Sequence, residues 1–160
     1  MTTPITPEPN TSTGSTTPDT RAPSTTEPIA DVRGAIAAGT KAFLDAFRRG
    51  DAAGIAACYT REGQVLPPNS EIAEGHSAIE NFWRETINLG FSGATLDLAE
   101  LFHASGDRTA TEVGRYVILA ADGQPADKGK YVVIWQRDDG GRWLIHRDIW
   151  ASNLPLPSTA

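Results

Sequence analysis

The chain has 160 residues, of which 39% are hydrophobic, a size and composition that fit one globular domain. Its 14 lysine and arginine residues stand against 20 aspartate and glutamate residues, for a net charge of −6 at pH 7. Without a basic cluster the chain has no electrostatic footprint for nucleic acid or for an anionic membrane surface, so neither is an expected partner. The single cysteine, Cys58, cannot form an internal disulfide and is interpreted as a small core residue.

The first 28 residues differ in composition from the rest of the chain. Residues 2–28 hold ten threonines, six prolines and three serines, and Ile5 is their one large apolar residue. Such a segment cannot bury enough apolar surface to offset its ordering entropy. We therefore expect 1–28 to be disordered and place the folded domain at 29–160.

The same segment lacks the features of a secretory signal. It has neither a basic start nor an apolar run of about 7–15 residues, and no later run reaches the roughly 20 apolar residues of a membrane span. These patterns favour a cytoplasmic protein. A glycosylated stalk, the alternative for a segment rich in threonine and proline, would require export.

Two helices are predicted at the start of the domain. A helix over 30–49 follows from large apolar residues at helical spacing, which are Val32, Ile36, Phe43 and Phe47. Gly50 ends this helix. Asp51 is a good N-cap for a short second helix over 52–59, whose apolar residues can pack back on the first.

The next segments alternate between strand, turn and helix signals. A short strand is predicted at 64–66, a turn at Pro67-Pro68-Asn69, and a return strand at 72–74. The sequence Ser77-Ala78-Ile79-Glu80 has the form of a capping box and begins a third predicted helix, which Gly90 ends.

A long strand at 95–104 leads into the most informative part of the chain, 106–153. Three β-rich runs lie there, separated by Asp-Gly and Asp-Asp-Gly-Gly turn signals, and they pair naturally as an antiparallel meander. Helices first and a long antiparallel sheet afterwards indicate an α+β domain with helices on one sheet face. The runs contain more polar side chains than a plain core tolerates, so one face of the sheet is expected to line a pocket.

The first strand of the meander carries a candidate catalytic pair. Glu112 and Tyr116 lie four residues apart, so their side chains point to the same face, with Gly114 between them. A carboxylate and a phenol in this arrangement suit a general base and a hydrogen-bond donor, and the glycine leaves room for a ligand. The alternative is an ion pair of Glu112 with Lys130 or Arg147 that only satisfies a half-buried sheet.

The last strand has two faces, either of which could line the pocket. By simple alternation His146, Asp148 and Trp150 share one face, while the opposite face is more apolar and would therefore point inward. A β-bulge near the curve of the sheet would reverse this assignment and turn Asp148 inward. Asp148 and His146 could together position a general base, or could form a solvated cross-strand contact.

Short motifs follow one another in a characteristic order along residues 30–154. They are Gly50-Asp51, Tyr59-Thr60, Val65-Leu66-Pro67-Pro68, Gly75, Ala78-Ile79, Phe82-Trp83, Gly106-Asp107, Gly114-Arg115-Tyr116, Gly129-Lys130-Tyr131 and the segment 143–153. This order resembles the NTF2-like superfamily and, within it, the SnoaL-like or DUF4440 group of ketosteroid isomerase homologues. The resemblance implies a cone in which a curved antiparallel sheet wraps around about three N-terminal helices and encloses a pocket, commonly in a dimer.

The resemblance also implies where a true steroid isomerase would keep its catalytic groups. Its base is an aspartate immediately before a proline in the strand after the second helix, but the matching stretch here, Val65-Leu66-Pro67-Pro68, has no carboxylate. Its oxyanion-hole tyrosine corresponds to Phe43. Because each group carries a separate part of the proton transfer, steroid isomerase activity by that mechanism is not expected.

We therefore expect a domain that binds a largely apolar small molecule in an interior pocket. The leading hypothesis is an acid/base enzyme without a cofactor, an isomerase, cyclase or dehydratase. In it Glu112 or Asp148 moves the proton, and Tyr116 or Lys130 stabilises an oxyanion. The residues expected to contact the ligand are Tyr59, Trp83, Gly114, His146, Arg147 and Trp150. The alternative is a noncatalytic ligand-binding or dimerisation module.

Metal ions and phosphate-bearing cofactors find no matching motif. The three histidines, His76, His103 and His146, are scattered along the chain, and no glycine-rich phosphate loop precedes a helix. A second copy of the chain is the expected macromolecular partner, because the long sheet keeps one face away from the helices, and this favours a homodimer.

Overall fold

The computed structural model describes residues 29–104 and 106–155, so the segment 1–28, expected to be disordered, lies outside the described residues. The helices are α1 (Ile29–Arg48), α2 (Ala52–Ala56) and α3 (Gly75–Asn88). The strands are β1 (Tyr59–Leu66), β2 (Ala73–Glu74), β3 (Phe91–Phe102), β4 (Thr109–Ala120), β5 (Pro125–Arg137) and β6 (Trp143–Ser152).

The strands form one curved, unclosed sheet in the order β2-β1-β6-β5-β4-β3. Strands β4 to β6 make the predicted antiparallel meander, and β3 pairs antiparallel with β4 at its edge. Strand β1 runs parallel to β6. The predicted α+β fold, a curved sheet with N-terminal helices, is confirmed. The sheet is mixed rather than purely antiparallel, because the long connection from β1 to β6 lets the two strands run in the same direction.

The first two helices form where the sequence predicts them. The four apolar residues of α1 at helical spacing are all buried, none more than 7% exposed. Gly50 follows α1 with a φ of 68°, which a residue with a side chain rarely adopts, and so ends the helix. The Asp51 carboxylate caps α2 by accepting a 2.8 Å hydrogen bond from the backbone N–H of Gly54.

Element boundaries differ from the prediction at the end of α2 and at the starts of β1, α3 and β3. Helix α2 ends at Ala56 rather than residue 59, because Tyr59 already pairs with Ile145 of β6, which makes β1 an eight-residue strand. Helix α3 begins at Gly75, and no capping-box hydrogen bond forms at its start. Strand β3 begins at Phe91, since its first residue pairs with the end of β4. In the two strands, pairing with neighbouring strands overrides the local signals.

The register of the meander places two carboxyl groups in one row across the sheet. Glu112 on β4 lies opposite Val133 on β5, and Val133 lies opposite Asp148 on β6. Directly opposed residues of antiparallel strands point to the same face. Because neighbouring strands are about 4.8 Å apart, the backbones of Glu112 and Asp148 are separated by roughly 10 Å.

A β-bulge in β6 turns Asp148 inward. Ile145 pairs with Trp135 and Arg147 pairs with Ile134, so His146 is an extra residue that has no partner in the ladder. The extra residue breaks the alternation, and both Ile145 and Asp148 are buried on the inner face. The sequence leaves open whether Asp148 points outward, by simple alternation, or inward, because of a bulge. The structure has the bulge, and Asp148 points inward.

Gly114 makes room for a neighbouring side chain. A Cβ atom at this position would lie 2.6 Å from the ring of Tyr131 and 2.5 Å from the backbone oxygen of Asp97. The Tyr131 ring therefore fills the space beside Gly114. A glycine facing an aromatic ring across two strands is a known way of pinning register.

Gly114→Ala is predicted to destabilise the fold. The new methyl group clashes with the backbone of Asp97, which cannot move without disturbing β3, so we expect a loss of about 1–3 kcal/mol in the free energy of unfolding, measured with urea. Gly34→Ala is the matched control, because nothing lies within 4 Å of the new Cβ on the exposed side of α1. This control should gain up to about 1 kcal/mol. Equal stability of both variants would contradict the packing described for Tyr131.

Candidate active site

A cavity lies between the helices and the inner face of the sheet. Its wall is mainly aromatic and aliphatic, with three polar side chains, and consists of Phe43, Phe47, Trp83, Tyr116, Tyr131, Trp135, Trp150, Ala94, Leu96, Ile118, Val133, Ile145, Thr40, Glu112 and Asp148. The cavity volume is about 60 Å³. On the same measure roughly 10–15 Å³ admits one water molecule, so the cavity has room for several waters or a small organic molecule.

Asp148 is held at the cavity wall by one hydrogen bond. Its Oδ2 accepts a 2.7 Å hydrogen bond from the hydroxyl of Tyr59, and that hydroxyl in turn accepts a 3.3 Å hydrogen bond from Trp83 Nε1. Tyr59 is 1% exposed and Asp148 is 9% exposed. Among the described residues, no group donates a hydrogen bond to Asp148 Oδ1. This oxygen is therefore available to a ligand.

The environment of Asp148 changes its acidity. Burial raises the pKa of Asp148 to about 6, the hydrogen bond from Tyr59 opposes this rise, and the negative charge of Glu112 adds to it. A carboxyl group with a pKa close to neutrality can both take up and release a proton near pH 7. Asp148 thus has the chemistry of a general acid or base.

Glu112 is buried with both of its oxygens occupied. Oε1 accepts a 2.6 Å hydrogen bond from the Tyr131 hydroxyl, and Oε2 accepts a 2.8 Å hydrogen bond from Trp135 Nε1. Neither ion pair of the alternative interpretation forms, because Lys130 is exposed and donates to Asn153, while Arg147 donates to backbone oxygens. The side chains of these two residues leave β5 and β6 away from the cavity, so Lys130 is not placed to stabilise an oxyanion there.

Tyr116 lies at the cavity but does not pair with Glu112. Its ring passes over Gly129, and its hydroxyl donates a 2.8 Å hydrogen bond to Asp127 Oδ2. The other oxygen of Asp127 accepts from Ser152 Oγ at 2.6 Å. The expected arrangement of Glu112 as base and Tyr116 as donor does not form. The Tyr116 hydroxyl points toward Asp127 near the start of β5, and Glu112 pairs with Tyr131 instead.

All three tyrosines of the chain donate to a carboxylate. The pairs are Tyr59 with Asp148, Tyr116 with Asp127, and Tyr131 with Glu112. Burial, followed by the adjacent carboxylate, raises the pKa of each tyrosine hydroxyl above its ordinary value. The hydroxyl protons therefore stay in place at neutral pH and are committed to these carboxylates.

The other residues expected to contact a ligand divide into two groups. Trp83 and Trp150 both line the cavity, with their rings stacked at a centroid distance of 6.1 Å. His146 is directed away from Asp148, because the bulge brings its Nδ1 to within 2.9 Å of Thr60 Oγ1 on β1. Of the two alternatives open from the sequence, the positioning of Asp148 by His146 does not form, and Tyr59 is the residue that positions Asp148.

Several residues of the cavity wall are not among those expected from the sequence. The most important are Tyr131 and Trp135, which hold Glu112. Tyr131 and Trp135 lie on the same face of β5 as Val133, because side chains alternate along a strand. This alternation of large residues could have indicated from the sequence that they face the pocket. Their pairing with Glu112 depends on the register of two strands, and Thr40, Phe43 and Phe47 join the wall only through the position of α1.

Other groups that often carry chemistry are placed differently. The described residues contain no group of three or more histidine, cysteine, aspartate or glutamate side chains arranged to hold a metal ion. The Cys58 thiol lies 3.4 Å from the Gly54 backbone oxygen, and burial raises its pKa, as expected of a small packing residue. No helix of the described part of the chain is long and apolar enough to cross a membrane.

The buried Asp148 predicts a specific dependence of stability on pH. Folding raises its pKa from 3.8 to about 6, so the folded state binds this proton more tightly, and stability falls as the pH rises from about 4 to about 6. At 1.36 kcal/mol per pKa unit the loss is about 3 kcal/mol. Asp148→Asn removes this loss. Between about pH 4 and about pH 6, the free energy of unfolding of Asp148→Asn, measured with urea, should therefore rise relative to that of the wild type by about 3 kcal/mol.

Asp139→Asn is the control for this experiment. The Asp139 side chain is 96% exposed, so its removal should give a difference from wild type that is nearly constant over the same pH range. A constant difference for Asp148→Asn as well would contradict a buried carboxyl with a raised pKa.

Comparison with known proteins agrees with this architecture. The SnoaL-like domain model matches residues 40–146. No protein of curated function matches the chain. Among solved structures, a ketosteroid isomerase-like protein from Erwinia carotovora atroseptica is 20% identical, with a TM-score of 0.63 over 76% of this chain and 96% of that one.

Two further solved structures give similar values. An NTF2-like protein with a cystatin-like fold from Novosphingobium aromaticivorans is 16% identical, with a TM-score of 0.65 over 78% of this chain and 84% of that one. A protein from Catenulispora acidiphila, solved in complex with S-DNPA, is 16% identical, with a TM-score of 0.66 over 78% of this chain and 95% of that one. At such identities the structures share the fold alone. Because the family model matches more than half of this chain, the chain belongs to the SnoaL-like domain family.

Proposed function

We propose that this chain binds a small, largely apolar molecule in its cavity and moves a proton on that molecule without a cofactor. The observation that carries the proposal is Asp148, a buried carboxyl on an otherwise apolar wall with one oxygen free of hydrogen bonds from the described residues. Proteins of the NTF2-like fold commonly bind small molecules, which supports the ligand-binding part. The reaction classes that fit are isomerisation, cyclisation and dehydration.

Asp148 is the group assigned to the proton transfer. Tyr59 fixes one of its oxygens and Trp83 fixes Tyr59, so the free oxygen is held in one place. With a pKa of about 6, the carboxyl is mostly ionised at pH 7 and can accept a proton, yet it can also return one. Preorganisation of this kind lets a carboxylate act without first rearranging.

Glu112 has a different part in the proposal. Both of its oxygens already accept hydrogen bonds, so it is less suited than Asp148 to taking a proton from a ligand. It acts instead as a fixed charge that raises the pKa of Asp148. Tyr116 and Lys130 have no part in stabilising an oxyanion, because the hydroxyl of Tyr116 is committed to Asp127 and Lys130 lies off the cavity.

The test uses 1,2-benzisoxazole, a small apolar compound that reports on any well-placed base. The base removes the proton on C3, the N–O bond breaks, and the product 2-cyanophenol is read by its absorbance. The rate should rise with pH through an apparent pKa near 6, since the ionised Asp148 is the base. Asp148→Asn should lower kcat/KM by about a hundredfold.

Two control variants separate the roles. Glu112→Gln should keep most of the activity but shift the pH profile to lower pH, because it removes a charge that raises the pKa of Asp148. Asp139→Asn, on the exposed turn between β5 and β6, should match wild type. If Asp148→Asn is as active as wild type, the catalytic assignment is wrong, and a noncatalytic binding module is the better description.

We also propose that the chain forms a homodimer through the outer face of the sheet. Val113, Val132 and Ile149 lie side by side on β4, β5 and β6, on the face opposite to Glu112 and Asp148. Ile149 is 37% exposed in the single chain. An apolar row in the middle of an uncovered sheet favours association with a second copy.

Light scattering at micromolar concentration tests the dimer. The wild-type chain should give twice the monomer mass, and Ile149→Lys should give the monomer mass, because a buried unpaired charge opposes association. Asp139→Lys changes a residue on a surface turn and should leave the mass at the dimer value. A monomer mass for the wild-type chain would contradict the proposed homodimer.

A further inference from the structure

Within the described part of the chain, the charged groups of the cavity wall are all acidic. Glu112 and Asp148 belong to the wall, and among the residues that the structure describes no lysine, arginine or histidine does. Among the described residues neither carboxyl forms an ion pair, because the donors that reach them are the neutral side chains of Tyr59, Tyr131 and Trp135. The negative charge of these buried carboxylates is therefore not compensated by a basic side chain of the described residues. Binding of a cation beside them is favoured, because it supplies the missing positive charge.

A basic residue at a neighbouring cavity does not change this balance. Arg33 on α1 borders a neighbouring cavity of about 160 Å³, which shares Thr40, Leu96, Glu112 and Tyr131 with the first. The Arg33 side chain is exposed, and within the described part of the chain it forms no ion pair with Glu112. It therefore leaves the charge of the cavity wall in place.

Most of the remaining wall consists of aromatic rings, which are Phe43, Phe47, Trp83, Tyr116, Tyr131, Trp135 and Trp150. The face of an aromatic ring carries partial negative charge and attracts a cation within about 6 Å of its centre, tryptophan most strongly. Carboxylates and aromatic faces together attract a positively charged ligand and repel an anion.

The hydrogen-bonding groups at the cavity also favour a cationic ligand. The hydroxyls of Tyr59, Tyr116 and Tyr131 all donate to carboxylates. The indole N–H groups of Trp83 and Trp135 donate to Tyr59 and Glu112. Most donors at the wall are therefore committed, while Asp148 Oδ1 still offers an acceptor. A ligand that brings its own N–H donors fits this wall better than one that brings acceptors.

We propose that the cavity takes a small organic cation, a protonated amine carried on an apolar or aromatic body. The ammonium group donates to Asp148 Oδ1 and lies against the tryptophan rings, and the apolar body packs on Leu96, Ile118 and Val133. This inference rests on the proposed function, because it names the substrate class of the same cavity. It specifies that the small, largely apolar molecule of the proposed function carries a protonated amine.

Three benzyl compounds of similar size test the charge preference. Benzylamine stays protonated from about pH 5 to about pH 8, benzyl alcohol is neutral, and benzoate is an anion. Binding to the full chain is followed by fluorescence of the tryptophans, three of which line the cavity. At pH 8 benzylamine should bind about tenfold more tightly than benzyl alcohol, and benzoate should bind most weakly.

The pH dependence of binding gives a second readout that needs no variant. Tyr59, Tyr131 and Glu112 are the titratable groups that interact with Asp148. The tyrosines stay protonated between about pH 5 and about pH 8, whereas Asp148, with a pKa of about 6, ionises. Affinity for benzylamine should rise severalfold over this range, and affinity for benzyl alcohol should not.

Variants then connect the preference to the carboxyl groups. Asp148→Asn should reduce the benzylamine preference to about twofold or less while retaining affinity for benzyl alcohol, and Glu112→Gln should reduce it in part. Asp139→Asn is the matched control and should keep the full preference. Near-ultraviolet circular dichroism checks that each variant is folded.

The outcomes distinguish this inference from the proposed function. If benzyl alcohol binds as tightly as benzylamine at pH 8, the cationic ligand is ruled out, and the proposal of an apolar small-molecule site stands. If none of the three compounds binds, the cavity is not a ligand site, and both proposals fall.

Discussion

The structure depends on burying two carboxyl groups, Glu112 and Asp148, that have no basic partner among the described residues. An ionised carboxylate moved into a protein interior loses several kcal/mol of hydration, and a lysine or arginine usually compensates. Here the compensation comes from neutral aromatic donors, Tyr59 for Asp148, and Tyr131 with Trp135 for Glu112. Because each donor also packs as a ring, the same side chains build the apolar wall and hold the charges in it. The interior is therefore apolar and acidic at once.

One extra residue in β6 decides whether this interior exists. With regular alternation Asp148 would share a face with residue 144 rather than with Ile145, and it would lie on the outer side of the sheet. The bulge at His146 shifts the second half of the strand by one position, so Asp148 and Trp150 join the cavity wall while His146 is directed to Thr60. The bulge thus selects which chemistry reaches the cavity, as bulges near functional sites often do.

The sequence predicts the parts of the fold that depend on local signals. Periodic apolar residues locate α1, Gly50 and Asp51 mark the change to α2, and alternation on β4 turns Glu112 and Tyr116 to one face. It does not predict features that depend on register between strands. Glu112 meets donors 19 and 23 residues away, and the room beside Gly114 is filled by a ring from another strand. No local pattern encodes such contacts, because tertiary pairing sets them.

The acidity of the interior also discriminates among the proposed reaction classes. A reaction that builds negative charge beside a carbonyl needs hydrogen-bond donors aimed at the developing oxyanion, and most donors of this wall are already committed to carboxylates. A dehydration or a cyclisation in which positive charge develops would instead be stabilised by Glu112, by the ionised form of Asp148 and by the aromatic faces. Asp148 can supply the required proton, because its pKa of about 6 leaves a fraction protonated near neutrality. The charge distribution therefore favours these two classes over an isomerisation through an enolate, on the same physical grounds that favour a cationic ligand.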